Sequence, residues 1–326
     1  MPPAPAAPLE AARHLIQAVI ADHLGATQLQ NDLLWLIRGV TGQEGNMALT
    51  RLPVTVCQAQ DGDPRKAVPV LATWLLTRLA AKSLDDLEDQ QAHPAGWPAA
   101  RSLNVATALL FVAHLTLDRL LEDGLCAETV QSMRAQLDQA RLAACAGQHA
   151  DLAACLGEEA ITPDRWLQIA ERKSGALLGW AAEAGAGVAG ADEATCAAYR
   201  RYGRSLGVLL QVADDYTDLW AVAAPHDLLT GELNLSVCYS LTVAQGPAHA
   251  SLQALLRAAS QGDAAAAQSA RSQLKALGAQ AFTLAVARLH QRQALAALQP
   301  LSLAAAHRRD LEALLVMTFP ALAHLP

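Results

Sequence analysis

From about Leu9 onward, apolar positions recur at the spacing of one helical face, and stretches with the strict alternation of a strand are few. Clusters of proline, glycine and aspartate punctuate the pattern. Asp61-Gly62-Asp63-Pro64 is a turn that opens one helix, and Ala92-His93-Pro94-Ala95-Gly96-Trp97-Pro98 ends it, because two prolines and a glycine cannot continue a helix. Helix-length patterns then cover Ala99 to Leu121 and Ala127 to Leu156. Thr162-Pro163-Asp164-Arg165 reads as a helix cap with proline in the first turn. Gly185-Ala186-Gly187 closes the next segment, and a longer helix is expected from Ala194 to Trp220. After a loop from Ala221 to Asp227, four more helical patterns reach the C-terminus.

Composition agrees with an all-α chain: 52% of residues are hydrophobic but only 4% aromatic, with alanine and leucine runs throughout. No linker is long or polar enough to divide the chain and no repeat has a fixed period. The expectation is therefore a disordered, Pro/Ala-rich tail over residues 1–8 followed by a single all-α helical bundle over residues 9–326. No apolar run reaches 18 residues, so no membrane span is expected. The start, Met1-Pro2-Pro3-Ala4-Pro5, lacks the regions of a signal peptide, which makes the cytoplasm the expected location. Six cysteines, Cys57, Cys126, Cys145, Cys155, Cys196 and Cys238, form no CxxC pair and read as small buried hydrophobes. A net charge of -7 argues against a nucleic-acid partner. His93, His149 and His226 share no ligand spacing and read as loop or surface residues.

Two acidic clusters interrupt the apolar pattern, Asp85-Asp86-Leu87-Glu88-Asp89 and Asp214-Asp215-Tyr216-Thr217-Asp218. In the second, Gln211, Asp214, Asp215 and Asp218 stand at i, i+3, i+4 and i+7, one continuous polar face on a helix. In the first, Asp85 and Asp89 are one turn apart with Asp86 beside them, near a helix C-terminus. Like charges at that spacing destabilise a helix by roughly 0.2–0.5 kcal/mol per pair, and a cation between them removes the repulsion. Oxygen ligands without His or Cys suit a hard ion, Mg2+ before Ca2+ or Mn2+. Mg2+ is usually completed by water and substrate phosphates, which points to a phosphate or diphosphate ligand.

From about Asn31 to the end, the chain resembles the trans-isoprenyl diphosphate synthases, the polyprenyl synthetase family. Gly147-Gln148 with Asp151 is similar to its GQxxD stretch, and Lys173-Ser174-Gly175-Ala176-Leu177 to its K-T/S-G-x-L helix. Tyr202-Gly203 to Asp218 resembles FGxxLGxxxQxxDDxxD, and Asp227-Leu228 with Gly231 to Leu235 resembles DLxxGKxTL. The resemblance implies an isoprenoid-synthase fold, a homodimer, and up to three Mg2+ ions around an allylic prenyl diphosphate. It implies metal ligands among Asp85, Asp86, Asp89, Asp214, Asp215 and Asp218, with Lys173 and Gln211 at the diphosphate. Residues one and two turns before Asp85, Ala81 and Thr77 with Ala80, Arg78 and Trp74 nearby, are expected to line the prenyl pocket. Trp74, Tyr216 and Trp220 are candidates for facing a carbocation, or for ordinary core packing.

The departures bear on the reaction. The family's basic GGKRxRP stretch, which binds isopentenyl diphosphate, reads Gly45-Asn46-Met47-Ala48-Leu49-Thr50-Arg51-Leu52-Pro53 and keeps only Arg51 and Pro53. The arginine pair after the first cluster is absent, with Arg101 too far along to be an obvious substitute. Each lost charge-assisted contact removes about 1.5–3 kcal/mol. The lysine of the later loop is Glu232 and its proline Ser236. Lys82 or Arg172 takes over that cation's place, or the loop points elsewhere; Lys82 otherwise pairs with Asp85 and Asp86. The damaged basic site makes a terpene synthase-like (lyase) or other non-elongating reaction the expected one. The alternatives are a chain-elongating farnesyl- or geranylgeranyl-type diphosphate synthase, and a non-catalytic partner subunit or a prenyltransferase to another acceptor.

Overall fold

The structure, a computed structural model, describes residues 7–39, 47–89, 93, 95–155, 162–221, 225–232 and 234–324. Among them no strand occurs. The helices are α1 (Ala7–Leu24), α2 (Gln28–Gly39), α3 (Met47–Thr50), α4 (Leu52–Ala59), α5 (Val68–Glu88), α6 (Ala99–Glu122), α7 (Ala127–Cys155) and α8 (Pro163–Ala170), then α9 (Ala176–Val188), α10 (Glu193–Tyr216), α11 (His226–Thr230), α12 (Leu235–Val243), α13 (Gly246–Ala259), α14 (Ala264–Ala276), α15 (Ala279–Leu298) and α16 (Ala305–Thr318). Two π-helical turns, Glu171–Gly175 and Thr217–Ala221, follow α8 and α10 directly.

Local chemistry explains most boundaries. Thr162 caps α8 by accepting from the Arg165 N–H at 3.2 Å, ahead of proline in the first turn. Asp263 caps α14 through the N–H groups of Ala265 and Ala266. Gly231, at φ 78°, ends α11 in the left-handed region open to glycine. Residues 1–6 of the expected tail lie outside the described residues, and α1 already includes Ala7 and Pro8.

Several expectations need correction. Gly185 and Gly187 do not end a segment; they lie inside α9, which continues to Val188. A side chain at Gly185 would collide with the Pro53 backbone, and one at Gly187 would come within 2.6 Å of the Met133 methyl, so both are packing glycines. Among the described residues six α-helices follow residue 221, not four, with a 3-10 turn over Pro320–His324, because α11, of five residues, and α12, of nine, are short. The cysteines are not all buried: Cys57 and Cys238 are, but Cys126, Cys145 and Cys155 are exposed. Burial raises the Cys57 thiol pKa to about 11 and raises that of Cys238 further. Helix α6 is long and apolar enough to cross a bilayer, with a mean hydropathy of 1.3 over 18 residues, although scattered polar residues interrupt every apolar run. It packs against α1, α2 and α5.

The chain forms two compact units. The first comprises Met1–Gln136, Ala181–Tyr199 and Ser302–Leu311; the second comprises Leu137–Trp180, Arg200–Leu301 and Glu312–Pro326. Four of the boundaries fall within helices α7, α9, α10 and α16, and one, between Leu301 and Ser302, falls in the connection from α15 to α16, so neither unit is a contiguous stretch. In the first unit, α5 is central, packed along α6 and against α1, α3 and α4, and it buries Leu71, Leu75 and Leu76. Thr73 is buried there too, its hydroxyl donating to the Pro69 carbonyl at 2.9 Å. In the second unit, α13 pairs with α14, and α12 packs on α8 and α15. Leu219, Leu228, Leu252 and Leu274 form a core beneath the end of α10.

Helix α10 approaches the turn Glu171–Gly175 backbone to backbone. A Cβ at Gly207 would stand 2.6 Å from the Gly175 Cα and 2.7 Å from its nitrogen. Gly207→Ala is therefore expected to lower stability by about 1–3 kcal/mol in chemical denaturation. Gly39→Ala, with nothing within 4 Å, is expected to be neutral or to stabilise by up to about 1 kcal/mol. Equal stability of Gly207→Ala and the parent would show that the two backbones do not touch.

Candidate functional site

The first acidic cluster closes α5. Asp85 and Asp86 are half-buried, and Asp89, the helix C-cap, is exposed, its N–H donating to the Asp85 carbonyl at 2.9 Å. Carboxylates here face the negative end of the helix dipole as well as one another. Lys82 Nζ lies 2.8 Å from Asp86 Oδ1, so this lysine is committed to the cluster in the helical i,i+4 register, with 70% of its side chain exposed.

The expected pocket lining is only partly realised. Ala81 lies on the exposed face of α5, but Thr77 and Ala80 are closed off in the core by the neighbouring helices. Trp74 is also buried, and its Nε1 donates to the Leu49 carbonyl at 3.0 Å, which makes it a packing residue. Arg78 stands over the Trp74 ring and donates to Thr50 Oγ1 at 2.6 Å; burial holds its guanidinium at a pKa of about 10. Arg51 is half-buried at the start of α4. Gly45, Asn46, Gln90, Gln91, Ala92 and Pro94 lie outside the described residues. Arg101 is no substitute for the missing arginine pair, because its Nε donates to the buried Asp32 carboxylate at 2.8 Å and its plane covers Trp97. His93 stacks on the same Trp97 at 4.3 Å, and burial lowers its pKa. His149 is exposed on α7, and His226, exposed, opens α11.

The second cluster is built differently. Gln211, Asp214 and Asp215 share the last turns of α10, but Asp218 falls on the π-helical turn. The continuous i to i+7 face is therefore interrupted, since a π turn takes more residues than an α turn. Lys173 also stands on a π-helical turn, its Nζ 3.1 Å from Asp151 Oδ2. Gly147 allows that approach: a Cβ there would sit 2.6 Å from the Lys173 backbone nitrogen. Gln211 Nε2 donates to Ser174 Oγ at 2.9 Å. Tyr216 accepts from Gln280 at 3.2 Å and packs edge-on against Phe319, while Trp220 Nε1 donates to Ser236 Oγ at 3.1 Å. Both have packing roles.

Behind Asp214, which is exposed, lies a polar network that the sequence reading missed. Asn234 is fully buried; its Nδ2 donates to Asp227 Oδ2 at 2.6 Å and to the Asp215 carbonyl at 3.1 Å. Its Oδ1 accepts from the Ser236 N–H at 2.9 Å, capping α12, and the Leu235 N–H donates to the Asp215 carboxylate. Asp215 keeps some surface open, yet the packing around its carboxyl raises the pKa well above the usual range. Burial likewise takes Asp227 to about 7. The one signal available was an asparagine just before a helix, an N-cap pattern. Glu232 is exposed, and Ser236 is buried against Thr283.

The donors suit a hard cation, since every candidate ligand is a carboxylate. Among the described residues no three His, Cys, Asp or Glu side chains are grouped so as to hold a metal by themselves.

Solved structures with this arrangement of helices define an all-α isoprenoid-synthase fold. A polyprenyl synthetase from Streptomyces coelicolor superposes with a TM-score of 0.80 at 22% identity, covering 96% of this chain and 99% of that one. A decaprenyl diphosphate synthase from Rhodobacter capsulatus gives 0.80 at 19% identity, covering 97% and 98%. The family model described as Polyprenyl synthetase matches residues 85–274, more than half of the chain. The chain belongs to the polyprenyl synthetase family. It is 36% identical over 186 residues to a geranylgeranyl diphosphate synthase of Mycobacterium tuberculosis, covering 55% of this chain and 52% of that protein. It is 28% identical over 212 residues to a (2E,6E)-farnesyl diphosphate synthase of Mycobacterium bovis, covering 63% and 56%. The chain thus spans about half the length of the curated relatives it matches. Their names favour the chain-elongation alternative and give no support to the terpene synthase-like, lyase reading drawn from the missing basic residues.

Asn234→Ala should cost about 1–3 kcal/mol in chemical denaturation, because it strips partners from buried acceptors on Asp215 and Asp227. Lys82→Ala, a surface pair, should cost less than about 1 kcal/mol. Equal losses would mean that the Asn234 network carries no special weight.

Proposed function

We propose that this chain is a Mg2+-dependent prenyl diphosphate synthase that joins an allylic prenyl diphosphate to isopentenyl diphosphate, working as a homodimer. The observation that carries this reading is the family match over residues 85–274, which begins at the first acidic cluster and includes the second, both with their aspartates intact. The names of the matched relatives support elongation over the other fates of an allylic cation.

In this reading Asp85 and Asp89 on α5, and Asp214 and Asp218 at the end of α10, hold Mg2+, with Asp86 tied to Lys82. When bound, Mg2+ supplies charge neutralisation at the departing diphosphate. Asp215 turns to the Leu235 N–H and fixes the end of α10. Lys173, with Gln211 held through Ser174, contacts the allylic diphosphate. The allylic C–O bond breaks with its electron pair leaving on the diphosphate; the double bond of isopentenyl diphosphate attacks the carbon, and loss of a proton completes the product. Arg51 is the matched residue for the second diphosphate. The missing arginine pair favours a second reading, ionisation without elongation.

Incubation with Mg2+ and geranyl, farnesyl or geranylgeranyl diphosphate, each with and without isopentenyl diphosphate, separates the two. Longer diphosphates are expected only when isopentenyl diphosphate is present; hydrocarbons or alcohols formed equally well without it would replace the proposal by the second reading. Asp85→Ala and Asp214→Ala are each expected to lower kcat by at least about a hundredfold, on the order of 2.7 kcal/mol. Turnover unchanged in both variants would remove the clusters from the chemistry.

A further inference from the structure

A cavity of about 460 Å³ lies within the second unit, lined by Arg201, Arg204 and Ser205 of α10, Gln293 and two alanines of α15, and Glu171. Its size is in the usual range for small-molecule sites. It stands about 15 Å along α10 from Asp214, at 1.5 Å per residue, and the chemistry proposed above makes no use of it. Its polar lining can present donors from two guanidinium groups, a hydroxyl and a carboxamide, against the single carboxylate of Glu171. Arg201 and Arg204 are three residues apart and so neighbours on one helix face, where like charges repel. Arg204 pairs with Glu171 at 3.5 Å, with both side chains about half exposed. One carboxylate at that distance leaves positive charge in excess. Two guanidinium forks one turn apart suit an anion with two charged centres better than one with a single centre.

Glu171 gives the cavity a connection. It is the first residue of the π-helical turn that carries Lys173 and Ser174, the partners of Asp151 and Gln211. The turn is packed directly on α10: the Arg204 carbonyl would lie 3.2 Å from a Cβ at Gly175. An anion that draws Arg204 away from Glu171 therefore acts on a segment with little slack. We propose that the arginine cavity binds inorganic diphosphate and that its occupancy shifts the turn Glu171–Gly175. Acceptance of the synthase reading is not required, because the site is defined by charge and shape alone.

The test is calorimetric titration of the whole protein with inorganic diphosphate in EDTA, where the acidic clusters, stripped of cations, repel the anion. One saturable equivalent is expected, at least tenfold weaker in Arg201→Ala/Arg204→Ala and undiminished in Asp85→Ala/Asp214→Ala. Arg201→Glu alone, at an exposed position, gives the same comparison if the double variant does not fold. Absence of saturable binding, or equal affinity in the arginine variants, overturns the site. Orthophosphate binding as tightly as diphosphate overturns the two-centre assignment. Hydrogen exchange read in the same buffer should change at residues 171–175 on diphosphate addition in the parent protein and not in the arginine variants; unchanged exchange overturns the coupling.

Discussion

The second unit depends on how closely two stretches of backbone approach. Ordinary helix pairs stand 8–10 Å apart, separated by their side chains. Here Gly175 lies under Gly207, and Gly203 lies against the Leu178 carbonyl and Gly179, where any Cβ would collide. With α10 this close to the segment after α8, Ser174 reaches Gln211. Gly147 does the same for α7, which brings Asp151 to Lys173. Three motifs far apart in sequence thus converge because their glycines permit contact, and a methyl group at Gly147, Gly203 or Gly207 would push apart the backbones beside it.

Against that scaffold, neighbouring aspartates have different surroundings. Asp214 is exposed, whereas Asp215 points into packed protein, held by a backbone N–H. The same residue type in adjacent positions therefore supplies an outward charge and an inward anchor. In the first cluster the division is made by a side chain, since Lys82 takes Asp86. A carboxylate cluster is thus a set of unequal groups, and burial and pairing decide which of them can face a cation.

The all-α class was legible because a 3.6-residue apolar period over a chain poor in aromatics has few other solutions. The Thr162 cap was legible for a similar reason, since capping is local chemistry, whereas α5 ends at Glu88, ahead of the proline-containing stretch expected to stop it. Gly185 and Gly187 were misread because local rules treat glycine as a stop, while the determining contacts, Pro53 and Met133, are distant in sequence. Asp218 was misplaced on an α-helical face because a π turn leaves no compositional mark. The burial of Thr77 and Ala80 was not legible for another reason: helical spacing says which residues share a face, but only the packing of α6, α1 and α4 around α5 says which part of it is covered. Reading loss of function from missing basic residues rested on absence, and residues held elsewhere in the fold, as Arg101 is by Asp32, show how little position alone says about role.

The uneven burial of the cysteines has a practical consequence. Cys126, Cys145 and Cys155 are open to solvent, while Cys57 and Cys238 are sealed in the cores of separate units with their thiols held protonated. A thiol-reactive dye modifies the first group in the native state and reaches the second only when the surrounding helices come apart. The chain thus carries its own unfolding reporters, one in each unit, and the order in which Cys57 and Cys238 become labelled under mild denaturant tells which unit opens first.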